Sequence, residues 1–188
     1  MTVAPVLLRS RELPVTARGV WQPAPAITLR TATPEDAPAI QALVTKREAE
    51  ARLLPRRTNE IAACARRFVV AIRGTAVVAC GDLTPLGPRV AEVRSLVVEP
   101  DARALGVGDR VLETLAVRAH ADGFNTLCAF THAPAWFIHR GFSIVPHTWV
   151  PEKLAATCRD CSMFRRCDQV AVIRPLGVAP RRTGETRS

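Results

Sequence analysis

Two periods of apolar and polar positions interleave along residues 27–176. Short apolar runs of strand length, rich in branched side chains, occur at ITLRTA (27–32), RFVVAI (67–72), TAVVACGDL (75–83), RVAEVRSLVVEP (89–100), FNTLCAFT (124–131) and DQVAVIRPL (168–176). Between them the spacing lengthens to that of helices. Thr33 can cap a helix with Pro34 first and Glu35 and Asp36 in its first turn, and Ala37, Ile40, Leu43 and Val44 then recur on one face. Thr58 is placed to cap a shorter helix carrying Ile61, Ala62 and Ala65. Residues 109–123 set Val111, Leu112, Leu115, Ala116 and Ala119 on one face and stop at Gly123. PAWFIHRG (134–141) reads as a short helix ending at Gly141, FSIVPHTWV as an extended piece, and 151–157 as helical. Arg73-Gly74 between two strands is a hairpin turn. The pattern predicts an α+β chain with one central sheet.

The flanks differ. Residues 1–26 contain Pro5, Pro14, Pro23 and Pro25 with no sustained period and read as an extension. Residues 176–188, LGVAPRRTGETRS, read as a basic, disordered tail. No internal repeat is present. A chain of 188 residues with 48% hydrophobic content fits one globular domain. Its net charge of +9 draws anions without choosing among them, and a coding bias toward arginine would produce the same excess. Aromatics are 5% and sit in apolar segments, so no base-stacking set exists and nucleic acid is not the expected partner. No apolar run reaches membrane-span length, and VAPVLL is too short for a signal core, so a cytoplasmic protein with six reduced cysteines is expected.

Between the fourth strand and the 109–123 helix lies VVEPDARALGVGDRVLETL, with Arg103, Gly106 and Gly108 in the turn. Unpaired N–H groups at a helix start, a helix dipole and glycines that admit close approach make an anion cradle, to which Arg103 adds a cation. On its own the layout also fits a plain tight turn. It is not a P-loop, since no Gly-Lys-Ser/Thr follows, and a third glycine of a dinucleotide fingerprint is missing.

Taken with the order of elements, the stretch resembles the acyl-CoA site of the GNAT N-acetyltransferases, V-x-P-x-x-R/Q-x-x-G-x-G/A, through Val98, Pro100, Arg103, Gly106 and Gly108. PAWFIHRGF is similar to that family's second CoA contact. The resemblance covers about residues 27–174 and implies the GNAT fold, a mixed central sheet flanked by helices, over a domain at 27–175. It also implies acetyl-CoA as co-substrate, held by Val97, Val98, Arg103, Ala104, Leu105, Gly106, Val107, Gly108 and Phe137. AEVRSLVVEP, FTHAPAWFIHRGF and PEKLAATCRDCSMFRRCDQVAV narrow the likeness to the short form of amino-acid N-acetyltransferase, as does LLPRRTNEI at 53–61. That family acetylates L-glutamate at the start of arginine biosynthesis. Gln169 stands where its members usually carry Glu. The resemblance further implies a homodimer, and a chain without the kinase domain of the long form, hence without feedback through it.

The same resemblance implies a thioester carbonyl that accepts a hydrogen bond from backbone N–H near Val98. Glu92 is the candidate proton acceptor for the amine, through water; an exposed strand carboxylate is the competing reading. Ser95 and Arg94 share its strand. Period-2 geometry turns Glu92 and Arg94 to one face and Val93 and Ser95 to the other unless a bulge intervenes, as it does in this fold. Many GNAT enzymes protonate the leaving thiolate with tyrosine; this chain has none, so Thr131 or water is left for that step. For the carboxylates of glutamate, Arg57 aligns with the family's substrate arginine, Arg56 is the alternative, and Arg94 and Lys153 are further candidates. Cys158, Cys161 and Cys167 have soft-ligand spacing for zinc, with His147 the nearest fourth ligand at no standard spacing; reduced structural thiols are the favoured reading and zinc the minor one. Cys64, Cys80 and Cys128 read as core residues, and His132, although near the acceptor site, is not assigned to catalysis. The expectation is acetyl transfer to the α-amine of an amino acid, most simply L-glutamate. The alternatives are a GNAT enzyme for another small amine or a protein N-terminus, and a non-catalytic acyl-CoA-binding sensor.

Overall fold

The computed structural model of the chain describes residues 26–51, 55–159, 161 and 164–177. The expected extension, save Ala26, and the expected tail beyond residue 177 lie outside them. Seven strands form one sheet in the order β1-β2-β3-β4-β5-β7-β6. They are β1 Ile27–Thr31, β2 Phe68–Arg73, β3 Ala76–Pro85, β4 Val90–Val98, β5 Thr126–Thr131, β6 Ser143–Val145 and β7 Val170–Pro175. Helices α1 Ala37–Ala51 and α2 Thr58–Ala63 cover one face. Helix α4 Val107–Ala121, entered through the short α3 Pro100–Arg103, covers the other together with α5 Pro134–Ile138. Among the described residues, no helix is long and apolar enough to cross a membrane.

The helical faces bury the residues their spacing selects. Ala37, Ile40, Leu43 and Val44 of α1 pack with Ile61, Phe68, Val70, Cys80 and Val97. Val111, Leu112, Leu115, Ala116 and Ala119 of α4 pack on Ala71, Ala79, Val93 and Leu127. Each large side chain so buried contributes on the order of 1.5–3 kcal/mol. α4 lies against β3 at Gly81, where an added Cβ would come within 2.9 Å of Leu115 Cδ1 and 3.0 Å of Val111 Cγ1. The helix from Thr33 opens as a 3-10 turn, Pro34–Asp36, before α1 proper. Thr58 is the first residue of α2, not its cap. Arg57 holds the cap position, its N–H donating to Glu60 Oε2 at 3.3 Å, and the Thr58 hydroxyl bonds Gln41 of α1 instead. The expected helix at 151–157 is α6 Pro151–Lys153, continued as a π-turn Leu154–Cys158.

Two irregularities of β4 position the site. All neighbouring strands run antiparallel except β4 and β5, whose parallel ladder ends after three pairs, Val90–Thr126, Ala91–Leu127 and Glu92–Cys128. β4 then runs on to Val98 and β5 to Thr131 without pairing to each other, so the sheet opens between them. In the same stretch Ser95 adopts φ +48°, and the register against β3 slips, so that Ser95 and Leu96 together lie across from Gly81. A bulge of this kind bends and twists its strand. It also resets which way the side chains point. Glu92 stays on the α1/α2 side beyond which Val97 joins the core with Ile40, whereas Leu96 and Val98 pack toward α4.

Candidate active site

The opening between β4 and β5 is a cavity of about 740 Å³ that passes through the sheet. Glu92–Val98 line one wall and Ala129–Thr131 the other. Its two ends are chemically different. On the α4/α5 side it meets a helix start and aromatic rings; on the α1/α2 side it meets a cluster of charged side chains.

At the first end, Gly106 caps α4 in the left-handed conformation, φ +67°, with open space where a Cβ would be. The N–H groups of Val107, Gly108 and Asp109 open the helix and have no partner within it. Gly108 is tight: a Cβ there would sit 3.3 Å from Trp136 Cζ2 and 3.4 Å from Val98 Cγ2. The third helical residue, Asp109, would repel an anion, but Arg140 Nε donates to its Oδ1 at 2.5 Å. Arg140 also stacks 3.8 Å over the Trp136 ring, which meets Phe137 edge-on at 4.9 Å. Arg103 Nε donates to the Val98 carbonyl at 3.2 Å. Gly106, Gly108, Arg103 and Phe137 all line the cavity. The Glu99 N–H donates to Val78 of β3 at 2.8 Å, so strand alternation turns the Val98 N–H the other way, into the opening. A carbonyl placed in the opening can accept from it.

At the second end, two buried carboxylates each hold one close cation and one looser one. Asp82, with no exposed surface, accepts from Arg67 Nε at 3.0 Å and Nη2 at 2.9 Å, and from Arg56 Nη1 at 3.3 Å. Glu92, 3% exposed, has Lys153 Nζ at 2.8 and 2.9 Å from its oxygens and Arg94 Nε at 3.9 Å. Arg56, Arg94 and Lys153 line the cavity. Among the described residues, four cations therefore face two carboxylates, and the two looser cations, Arg56 and Arg94, both line the opening. The Thr131 hydroxyl, on the opposite wall, accepts from the Ala133 N–H at 3.0 Å, which holds its oxygen in place.

The structure brings together Glu92, Arg94, Ser95, Val97, Val98, Arg103, Gly106, Gly108, Thr131, Phe137 and Lys153 around one cavity. The competing reading of Glu92 as an exposed carboxylate does not hold, since the strand is internal and the ion pair is buried. Other candidates fall elsewhere. Arg57 is exposed at the start of α2 and does not line the cavity; its neighbour Arg56, pointing inward from the same turn, does. Ala104 and Leu105 are exposed beside the cradle, and the Val107 side chain is buried in the core, leaving only its N–H for a ligand.

The three cysteines with zinc-like spacing, Cys158, Cys161 and Cys167, are not gathered into one ligand set. Among the described residues, no group of three or more His, Cys, Asp or Glu side chains is placed to hold a metal ion. His147 Nε2 is taken by the Gln169 carbonyl at 2.8 Å. Cys167 is exposed and Cys158 half-buried, its thiol pushed up by burial. Cys80 and Cys128 are core residues; burial raises both thiols, Cys80 to about 12.

Sequence reasoning passed over Asp82, Arg67, Trp136 and Arg140. An aspartate inside the apolar run VVACGDL was the one available signal for the first. His132 also lines the cavity, with Nδ1 3.4 Å from Asp168 Oδ1.

The sequence profile of the Acetyltransferase (GNAT) family matches residues 33–142. An uncharacterised N-acetyltransferase of Chlorobaculum tepidum is 27% identical over 154 residues, 82% of this chain and 99% of that protein. The amino-acid acetyltransferase of Azotobacter vinelandii is 35% identical over 116 residues, 61% of this chain and 27% of that protein. N-acetylglutamate synthase from Neisseria gonorrhoeae, whose crystal structure is a complex with coenzyme A and N-acetyl-glutamate, matches with a TM-score of 0.72 and 25% identity over 80% of this chain and 35% of that one. The chain thus spans about a quarter of the length of the amino-acid acetyltransferases it matches, 27% for that of Azotobacter vinelandii. Its sheet, its cradle and these likenesses converge: the chain belongs to the GNAT family and is an acetyl-CoA-dependent N-acetyltransferase.

Proposed function

We propose that the acceptor is an acidic amino acid, L-glutamate, acetylated on its α-amine. The observation that carries this reading is the two-cation excess at the α1/α2 end of the cavity. Arg67 and Lys153 satisfy Asp82 and Glu92, and Arg56 and Arg94 then offer guanidinium groups for two carboxylates. A monocarboxylate would leave one of these cations with only its long contact to a shared carboxylate in a partly desolvated site, which is less favourable. The names of the similar proteins, amino-acid acetyltransferase and N-acetylglutamate synthase, support the same acceptor.

In this reading acetyl-CoA enters from the α4/α5 side, its phosphates at the N–H groups of the α4 start and its thioester in the opening. The Val98 N–H donates to the thioester oxygen and strengthens its bond as negative charge develops there. Glutamate enters from the other side with its carboxylates on Arg56 and Arg94. Glu92, ion-paired with Lys153, takes the ammonium proton through water, and the free amine attacks the thioester carbon. As the C–S bond breaks, the nitrogen gives up its second proton, which reaches the departing thiolate through water or by relay through the Thr131 hydroxyl. Ser95 contributes through its backbone, which bends β4 and opens the site.

Release of free thiol from acetyl-CoA, measured against a panel of amino acids, tests the proposal. Turnover with glutamate above all others supports it. Turnover confined to neutral or basic amino acids would replace the acceptor, and no turnover on any amino acid would place the acceptor outside that class.

A further inference from the structure

Asp82 lies in the middle of β3, the third strand of seven, and has no exposed surface. A carboxylate in such a place is costly unless its lone pairs are taken. Here they are taken by four donors. Arg67 supplies Nε at 3.0 Å and Nη2 at 2.9 Å, the Thr84 hydroxyl approaches Oδ2 at 3.0 Å, and Arg56 Nη1 adds a longer contact at 3.3 Å. Arg67 Nη2 also bonds the Thr84 oxygen at 2.9 Å, which closes the network. Arg67 alone could neutralise the charge. The surplus contact is the one to Arg56, the residue that lines the cavity.

We propose that Asp82 is a positioning residue for the acceptor, holding Arg56 at the cavity wall while Arg67 keeps it from binding Arg56 too tightly. The assignment rests on the acidic-acceptor reading. Arg56 comes from the segment just before α2, where no strand or helix fixes its direction. Its other contacts with the described residues are weak: Cys64 Sγ at 3.6 Å from Nη2 and the Phe68 ring at 5.7 Å. One long bond to a buried anion aims such a guanidinium without using up its donors. If Asp82 were not already saturated by Arg67 and Thr84, it would hold Arg56 in a full ion pair, and a substrate carboxylate would have to compete with it. The tight pair therefore sets the strength of the loose one.

The test is steady-state kinetics on the full chain with L-glutamate varied at saturating acetyl-CoA, beside the acetyl-CoA Kd by calorimetry and the melting temperature. Asp82→Asn should raise the glutamate KM about tenfold or more and leave kcat and the acetyl-CoA Kd within about twofold. The same change made in an Arg56→Ala background should add nothing to KM, because Asp82 acts through Arg56. Arg67→Lys keeps the charge and gives one donor where there were two, so Asp82 draws Arg56 inward and KM rises several-fold. This second variant serves if Asp82→Asn fails to fold. An unchanged KM in the variants that fold, or a KM rise that persists in the Arg56→Ala background, overturns the proposal. Wild-type turnover of glutamate with either of those results sinks this assignment alone; absence of wild-type turnover on any acidic acceptor sinks the reading beneath it.

Discussion

Arg56 and Arg57 are adjacent in the chain and differ in what they reach. Arg57 caps α2 and points to solvent, while Arg56 turns inward onto Asp82 and the cavity. Arg56→Ala should raise the glutamate KM on the order of 10- to 100-fold, the cost of a lost charge-assisted contact, and leave the acetyl-CoA Kd unchanged. Arg57→Ala should leave both constants near wild type. A KM effect confined to Arg57→Ala would reverse the assignment. That an arginine of this pair is a candidate for the acceptor could be read from the family resemblance. Which one could not, because residues 55–57 form neither helix nor strand and carry no period from which to read a face. Glu92 shows the same limit. Its face followed from alternation, but its burial and its partner Lys153, 61 positions away, depend on the tertiary fold.

At the scale of elements, the start of the first helix shows local chemistry fixing an end. The Asp36 carboxylate takes two bonds from Arg30, at 2.6 and 2.8 Å, and one from the Thr33 N–H at 2.8 Å. These bonds, the Arg30 guanidinium first, lower its pKa from 3.8 to about 2. A carboxyl that is more acidic folded than unfolded adds stability that is complete above the unfolded value and is lost as pH falls through the folded one. Asp36→Ala should therefore cost about 1 kcal/mol at neutral pH, as lost caps do, and the difference in melting temperature from wild type should shrink between about pH 4 and pH 2. A difference that is constant over that range would contradict this account. This element, like the apolar faces of α1 and α4, was legible because its signals lie within a few residues of one another. The opening between β4 and β5 was not. A parallel ladder of three pairs leaves no mark on the period of either strand. The bulge at Ser95 followed only from resemblance to the fold, since serine does not announce a positive φ.

For the molecule as a whole, the sheet keeps two chemistries apart and joins them through one gap. The N–H groups of the α4 start and a charge-compensated Asp109 stand on one side, and paired carboxylates with surplus arginines on the other. The net charge of +9 gave no hint of this division. Among the described residues, the ion pairs at the α1/α2 end leave Arg56 and Arg94 in excess. The most direct test of that account is the ratio of kcat/KM for L-glutamate to that for L-glutamine, which has nearly the same shape without the second carboxylate. Two cations left for two carboxylates predict a preference for glutamate of about a hundredfold or more. Equal values, or a preference for glutamine, would contradict it.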